Sequence, residues 1–171
     1  MNQTRLISKI LFYVTRIAAI AYLGTGIYSA LCLISGWSIA SYSNNQYLRI
    51  NYPFSQKAFL LLENSWSYML FSLLLPIMLY GIFFWLAANV FKVFFQAKLF
   101  ISSHVLHLKR FYQLNVWIPS VATIVASFFV PIESVIWALV SVHLILGIFS
   151  YFLASIFTQG LYLQREQDLI I

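Results

Sequence analysis

The chain has 171 residues, of which 62% are hydrophobic and only 8% charged, with a formal net charge of +6. A soluble domain carries about 25% charged residues, so this chain cannot clothe its apolar bulk in polar surface. That excludes an ordinary water-soluble domain, and the mean hydropathy of +0.86 points to lipid as the solvent for most of the chain.

Taken in order, the sequence shows four apolar stretches, each matching the ~20 residues a transmembrane helix needs. The first runs from about Ile10 to Gly36, with Trp37 at its end. Its greasiest part, Ile17 to Ile34, is longer than the ~7–15 residues of a cleaved signal core and reads as an uncleaved span. Within it Ala18, Ala21, Thr25, Ser29, Cys32 and Gly36 recur every three or four residues, which puts small side chains on one helical face for close packing.

A segment over 38–65 follows, expected outside the membrane. Ser43-Asn44-Asn45 reads as a turn, Pro53 as an interruption, and Tyr47 to Tyr52 as a short strand, so this loop is either a β-hairpin or an irregular cap. The second span is expected over 66–88 with Pro76 inside it, where the missing N–H kinks a helix. Residues 89–113 form a loop on the inner side. In it Ser102 is a candidate N-cap for an amphipathic helix, with Val105, Leu108 and Tyr112 on one side and His107, Lys109 and Arg110 on the other.

The third span is placed at 114–130, with Trp117 and Pro119 near its start. Pro131-Ile132-Glu133-Ser134 makes a tight turn in which Ser134 is a candidate N-cap. The fourth span covers 135–157, where His143, Gly147, Ser150 and Ala154 share a face, and Gly160 marks the expected helix end within a tail over 158–171.

Charge sorts with these segments. Arg5, Lys9 and Arg16 precede or open the first span; Lys92, Lys98, Lys109 and Arg110 lie between the second and third; Arg165 follows the fourth. With both termini in the cytoplasm, eight of the ten basic residues fall inside, as the positive-inside rule requires. The basic balance therefore needs no nucleic acid to explain it.

Little in the sequence carries chemistry. Cys32 is the single cysteine, so no intramolecular disulfide can form. No span holds a pair of carboxylates, and there is no phosphate-binding loop, nucleophile elbow or zinc-protease pattern. An enzyme is not expected, and no cofactor. His104 and His107, three residues apart on a helix, are candidate metal ligands that lack a third partner. His143 is the one ionisable side chain deep in a span, and is read as a clasp hydrogen-bonded to a neighbouring helix in preference to a proton relay.

Two stretches, Val90 to Leu114 and Ser155 to Ile171, resemble the bacterial domain-of-unknown-function family 2975, small four-span membrane proteins. The residues that carry the resemblance are Lys98, Phe100, Leu108, Lys109 and Arg110 in the inner loop, and Gly160, Leu163, Glu166, Asp168, Leu169 and Ile171 in the tail. The sequence departs from the family at Ala97-Lys98-Leu99-Phe100, where Gly-Lys-Pro-Phe is usual, and at His104, where asparagine is common. The resemblance implies a bacterial inner-membrane location and, because many members are encoded beside a small helix-turn-helix regulator, a cytoplasmic DNA-binding partner. The residues implied to meet that partner are Phe100, Leu108, Lys109, Arg110, Gly160, Leu163, Glu166, Asp168 and Leu169.

The expected architecture is thus a single all-α membrane domain of four spans, N-in and C-in, in contact with the lipid bilayer, with a second copy of itself as a candidate partner. The expected role is a non-enzymatic regulatory or interaction module, with a small transporter or transporter subunit as the alternative.

Overall fold

The structure is a computed structural model that describes residues 2–42 and 45–168. It is mostly helical, with three helices long and apolar enough to cross a membrane and one small sheet. The all-α expectation is corrected to this extent: the segment after the first helix is a three-stranded antiparallel sheet, one strand more than a hairpin.

Helix α1 spans Asn2–Ser35. It stops at Gly36, whose φ of +70° is open to glycine without steric cost and lets its N–H close back on the Cys32 carbonyl at 2.9 Å. The strands follow as β1 (Ile39–Tyr42), β2 (Tyr47–Asn51) and β3 (Ala58–Glu63), in the order β1-β2-β3. Ser43 and Asn44 of the expected turn lie outside the described residues, while Asn45 takes the left-handed conformation (φ 65°) that asparagine tolerates better than most residues. The sheet is no loose cap. Ile50 and Leu62 are fully buried with Cys32 and Met69, and Tyr28 donates its hydroxyl to the Asn51 carbonyl at 2.6 Å, so the sheet sits on the ends of two helices.

The second helix runs through Tyr68–Val93. Its first turns, Tyr68–Leu74, are wound as a π-helix, and α2 proper is Leu75–Val93. Pro76 stands immediately after the widened turns. It has no N–H and its ring crowds the carbonyl four residues back, a conflict that a locally wider helix relieves.

Helix α3 is Ser102–Ser127 and α4 is Ser134–Asp168, so Gly160 is not the helix end expected but lies inside α4, where it admits the Phe100 ring. The amphipathic segment and the third apolar stretch are therefore one continuous helix. It ends at Ser127, short of the Val130 expected. Ile101 precedes it with extended backbone and no side-chain cap, so Ser102 is the first helical residue and not the cap; Ser134 likewise opens α4 from inside.

Helices α1 and α2 form one hairpin, α3 and α4 another. Small residues set both approaches: a Cβ added to Gly81 would meet the Leu23 side chain at 2.7 Å, and one added to Gly147 would meet Val116 Cγ2 at 2.6 Å. On α4 the buried seam is the expected Gly147, Ser150 and Ala154. On α1 it runs through Ala19, Gly26, Ser29 and Cys32, leaving Ala21 exposed. The sheet and the 128–133 turn share one end of the molecule, where Phe71 stacks on Phe129. The N-terminal part of α1, the 94–101 segment and the end of α4 share the other, where Phe12 meets Phe95 and Phe100 meets Phe157. These are called the sheet end and the basic end below.

Candidate functional site: a cleft between the hairpins

The two hairpins join over only part of their length. Toward the basic end α2, α3 and α4 share a buried core of Ala87, Val90, Val93, Val105, Leu108, Phe111, Ala154 and Phe157. Toward the sheet end no such core fills the gap. A cleft of about 790 Å³ lies there, within the ~300–1,000 Å³ common for small-molecule sites.

The mouth of this cleft carries Glu63 at the end of β3 and Glu133 in the turn before α4, both exposed. Its walls are largely apolar and aromatic, with Tyr68, Phe71, Tyr80, Phe83 and Phe129 among them. Asn115 is also among the lining residues; it is only 3% exposed, donates its Nδ2 to the Phe111 carbonyl at 2.8 Å, and leaves Oδ1 buried without a partner. A buried, unpaired acceptor costs about 1–3 kcal/mol, which marks this side chain as one the packing alone does not explain.

Two prolines line the same cleft, Pro76 on α2 and Pro119 on α3. Pro119 can donate nothing to the carbonyl four residues earlier, which is that of Asn115.

His143 also lines the cleft, with its ring centroid 5.2 Å from Phe83 and 6.0 Å from Tyr80. Among the described residues the expected hydrogen bond to a neighbouring helix is not made: Nδ1 pairs with the Leu139 carbonyl of its own helix at 2.8 Å. A carbonyl only accepts, so Nδ1 carries a proton.

The other expected site residues lie at the basic end. His104 is buried, its Nδ1 paired with the Leu99 carbonyl at 2.8 Å, whereas His107 is half-buried; among the described residues no group of three or more metal-ligating side chains gathers. Desolvation holds the His107 imidazole below its ordinary value of 6.5, with His104, Arg110 and Lys92 adding repulsion. Leu108 is fully buried in the core. Phe100 packs on Phe157 and lies so close to Gly160 that an added Cβ there would meet its ring at 2.6 Å. Those three are committed to internal packing. Lys109, Arg110, Leu163 and Glu166 are exposed; Asp168 ends α4, and Leu169 and Ile171 lie outside the described residues.

Sequence reading missed the cleft because its lining is drawn from β3, α2, α3 and α4, and no stretch of it forms a motif. The one available signal was Asn115, a strong hydrogen-bonding side chain four residues before a proline in an apolar run. No protein family, curated protein or solved structure was found to match the chain.

Proposed function

We propose that this chain is a four-span, N-in and C-in membrane protein that binds a small amphipathic molecule in the cleft between its two hairpins, a non-enzymatic binding or transport component of a cytoplasmic membrane. The observation that carries the reading is the cleft itself, a concave site of ligand size whose walls are largely apolar and aromatic with polar side chains set among them.

The membrane setting is supported by the outer faces. Ile10, Ile17 and Ile20 on α1 and Ile145, Ile148, Phe149 and Phe152 on α4 are exposed, which water would penalise and lipid would not. Trp66 and Trp85 stand about 28 Å apart along one helix at ~1.5 Å per residue, close to the ~30 Å hydrocarbon thickness, and amphipathic rings favour its two borders. Helix α3 runs the length of its partner α4 from the basic end to the sheet end, which favours a fourth crossing although its first turns are basic. Exposed Arg5, Lys9, Lys98, Lys109, Arg110 and Arg165 gather at the end assigned to the cytoplasm.

The test is saturable binding of a neutral fluorescent amphiphile, 1-pyrenemethanol, to the full chain in lipid nanodiscs. Ala122 lines the cleft, and Ala122→Trp should fill it and abolish binding. Unchanged binding in that variant would defeat the reading. Topology is checked with cysteines at Lys57, Glu133, Lys109 and Arg165 in a Cys32→Ser background: the first two should label from outside, the last two from inside.

A second reading, in which the cytoplasmic face holds a DNA-binding regulator, is favoured by the exposure of Lys109, Arg110, Leu163 and Glu166 on that side. Recovery of such a protein with the intact chain, and its loss on Leu163→Ala with Glu166→Ala, would support it.

A further inference from the structure

We infer that the turn between β2 and β3, Tyr52 to Lys57, is a membrane anchor that seats the Phe54 ring in the headgroup layer of the outer leaflet, beside Trp37. This rests on the chain crossing a membrane with the sheet end outside, and concerns a surface the cleft does not use.

Phe54 is the most exposed large apolar side chain among the described residues, at 97%, and its backbone has a φ of 56°. Glycine or asparagine takes that conformation readily, whereas a bulky side chain is held there at a cost. A turn that only reversed the chain in water would favour one of those two residues. A phenylalanine in their place breaks the local rule and buries almost nothing within the chain, so what offsets it lies outside the chain.

The surface around the turn is continuous with the face that α1 turns to lipid. Ile20, Ile27, Leu31 and Ile34 are exposed and fall at helical spacing on one stripe of α1, which leads to Trp37. The Trp37 ring is itself half-exposed and meets the Phe54 ring edge to face, with centroids 5.9 Å apart.

Depth follows from the same pair. A tryptophan at the end of a span sits at the border of the hydrocarbon. Headgroups add roughly 5–7 Å on each side of the ~30 Å core. A ring 5.9 Å from Trp37 therefore stays within headgroup reach even when displaced straight outward. Lys57 is exposed on the same turn, and no acidic residue occurs from Ser38 to Leu62. A lysine beside interfacial aromatics suits lipid phosphates, which a carboxylate would repel. Since β3 leads from this turn to Glu63 at the mouth of the cleft, pinning Phe54 holds one side of that mouth at the membrane surface.

The experiment uses the full chain in nanodiscs in a Cys32→Ser background, with the dye nitrobenzoxadiazole on Phe54→Cys or, as a reference within the exposed stripe of α1, on Leu31→Cys. The dye at position 54 should be quenched by lipids bearing a nitroxide on the headgroup, and its quenching by aqueous iodide should be less than half that of the free cysteine adduct. Iodide quenching at 54 equal to that of the free adduct, with the dye at 31 quenched by a chain-nitroxide lipid, would overturn the anchor and leave the membrane crossing standing. Shielding of 54 from both iodide and nitroxide would mean that a second copy or another protein covers the ring, which also overturns the anchor. No lipid quenching at either position would overturn both readings. Phe54→Asn gives a check without a label, because asparagine tolerates the backbone and removes the ring. Trypsin should cut after Lys57 several-fold faster in that variant than in the wild-type chain, both in nanodiscs; equal rates would overturn the anchor.

Discussion

The rings of Phe71 and Phe129 lie face to face, their centroids 4.5 Å apart and their planes 7° from parallel. Phe71 belongs to the π-wound start of the second helix and Phe129 to the turn after α3, so this pair ties the two hairpins together across the outer part of the cleft. Phe129→Ala should free that end. The expected outcome is faster probe entry and release in stopped-flow, with a thermal stability loss of about 1 kcal/mol, since an aromatic pair adds ~0.5–1.5 kcal/mol beyond its area and Phe129 is largely exposed.

Gly147 sets the α3–α4 distance. Val116 Cγ2 stands 2.6 Å from where its Cβ would be, and the Tyr112 carbonyl 3.4 Å, so backbone as well as side chain would have to yield. Gly147→Leu should push the helices apart and lower stability by about 1–3 kcal/mol or more, read as a lower melting temperature in detergent. An unaltered melting curve would mean the hairpin is not packed this way.

Asn115 should cost the fold stability. Replacing it by leucine, a side chain of similar shape, removes a buried unpartnered oxygen. Asn115→Leu is expected to melt at the same temperature or higher, by up to about 1 kcal/mol. A clearly lower melting temperature in detergent would mean that the amide contributes more through its bond to the Phe111 carbonyl than its unpaired oxygen costs.

Arg16 lies within the first helix yet has partners. Its guanidinium carbon sits 3.8 Å from the centre of the Trp85 ring, and it donates to Asn89 Oδ1 at 2.9 Å, so the charge clamps α1 to α2 near the basic end. A double-mutant cycle of Arg16→Gln with Trp85→Leu should give a coupling of about 0.5–2 kcal/mol. Additive losses would remove the clamp from the account.

His107 predicts the acid behaviour of the basic end. Its folded pKa is depressed by desolvation first and by neighbouring positive groups second, so as pH falls through about 6.5 the unfolded chain takes up a proton that the folded chain resists. Stability from this residue is complete above that pH and declines below it, until the folded form also protonates. His107→Asn should flatten the difference in melting temperature between pH 7.5 and 5.5. An equally steep dependence in the variant would assign the effect elsewhere.

Hydropathy, turn chemistry and the spacing of small residues belong to the sequence, and they were enough to locate α1, α2 and α4, the break at Gly36 and the Gly147–Ser150–Ala154 seam. These are local properties: a helix in lipid satisfies its own backbone, so a run of apolar residues nearly settles its conformation. The third strand escaped such reading because Ala58–Glu63 is an apolar run without alternation, lying close to a span. For the two-histidine metal candidate, spacing gives two ligands at most, and among the described residues the fold brings no third ligating side chain to them.

The cleft was decided only in three dimensions. Its mouth, walls and floor come from four elements separated by up to eighty residues, and its existence depends on the hairpins meeting through Leu108, Phe111 and Phe157 at one end while Phe71 and Phe129 bridge them at the other. Side-chain volume at those distant positions sets how far the helices splay. No local pattern encodes that separation, because packing is a property of pairs that the chain order does not bring together.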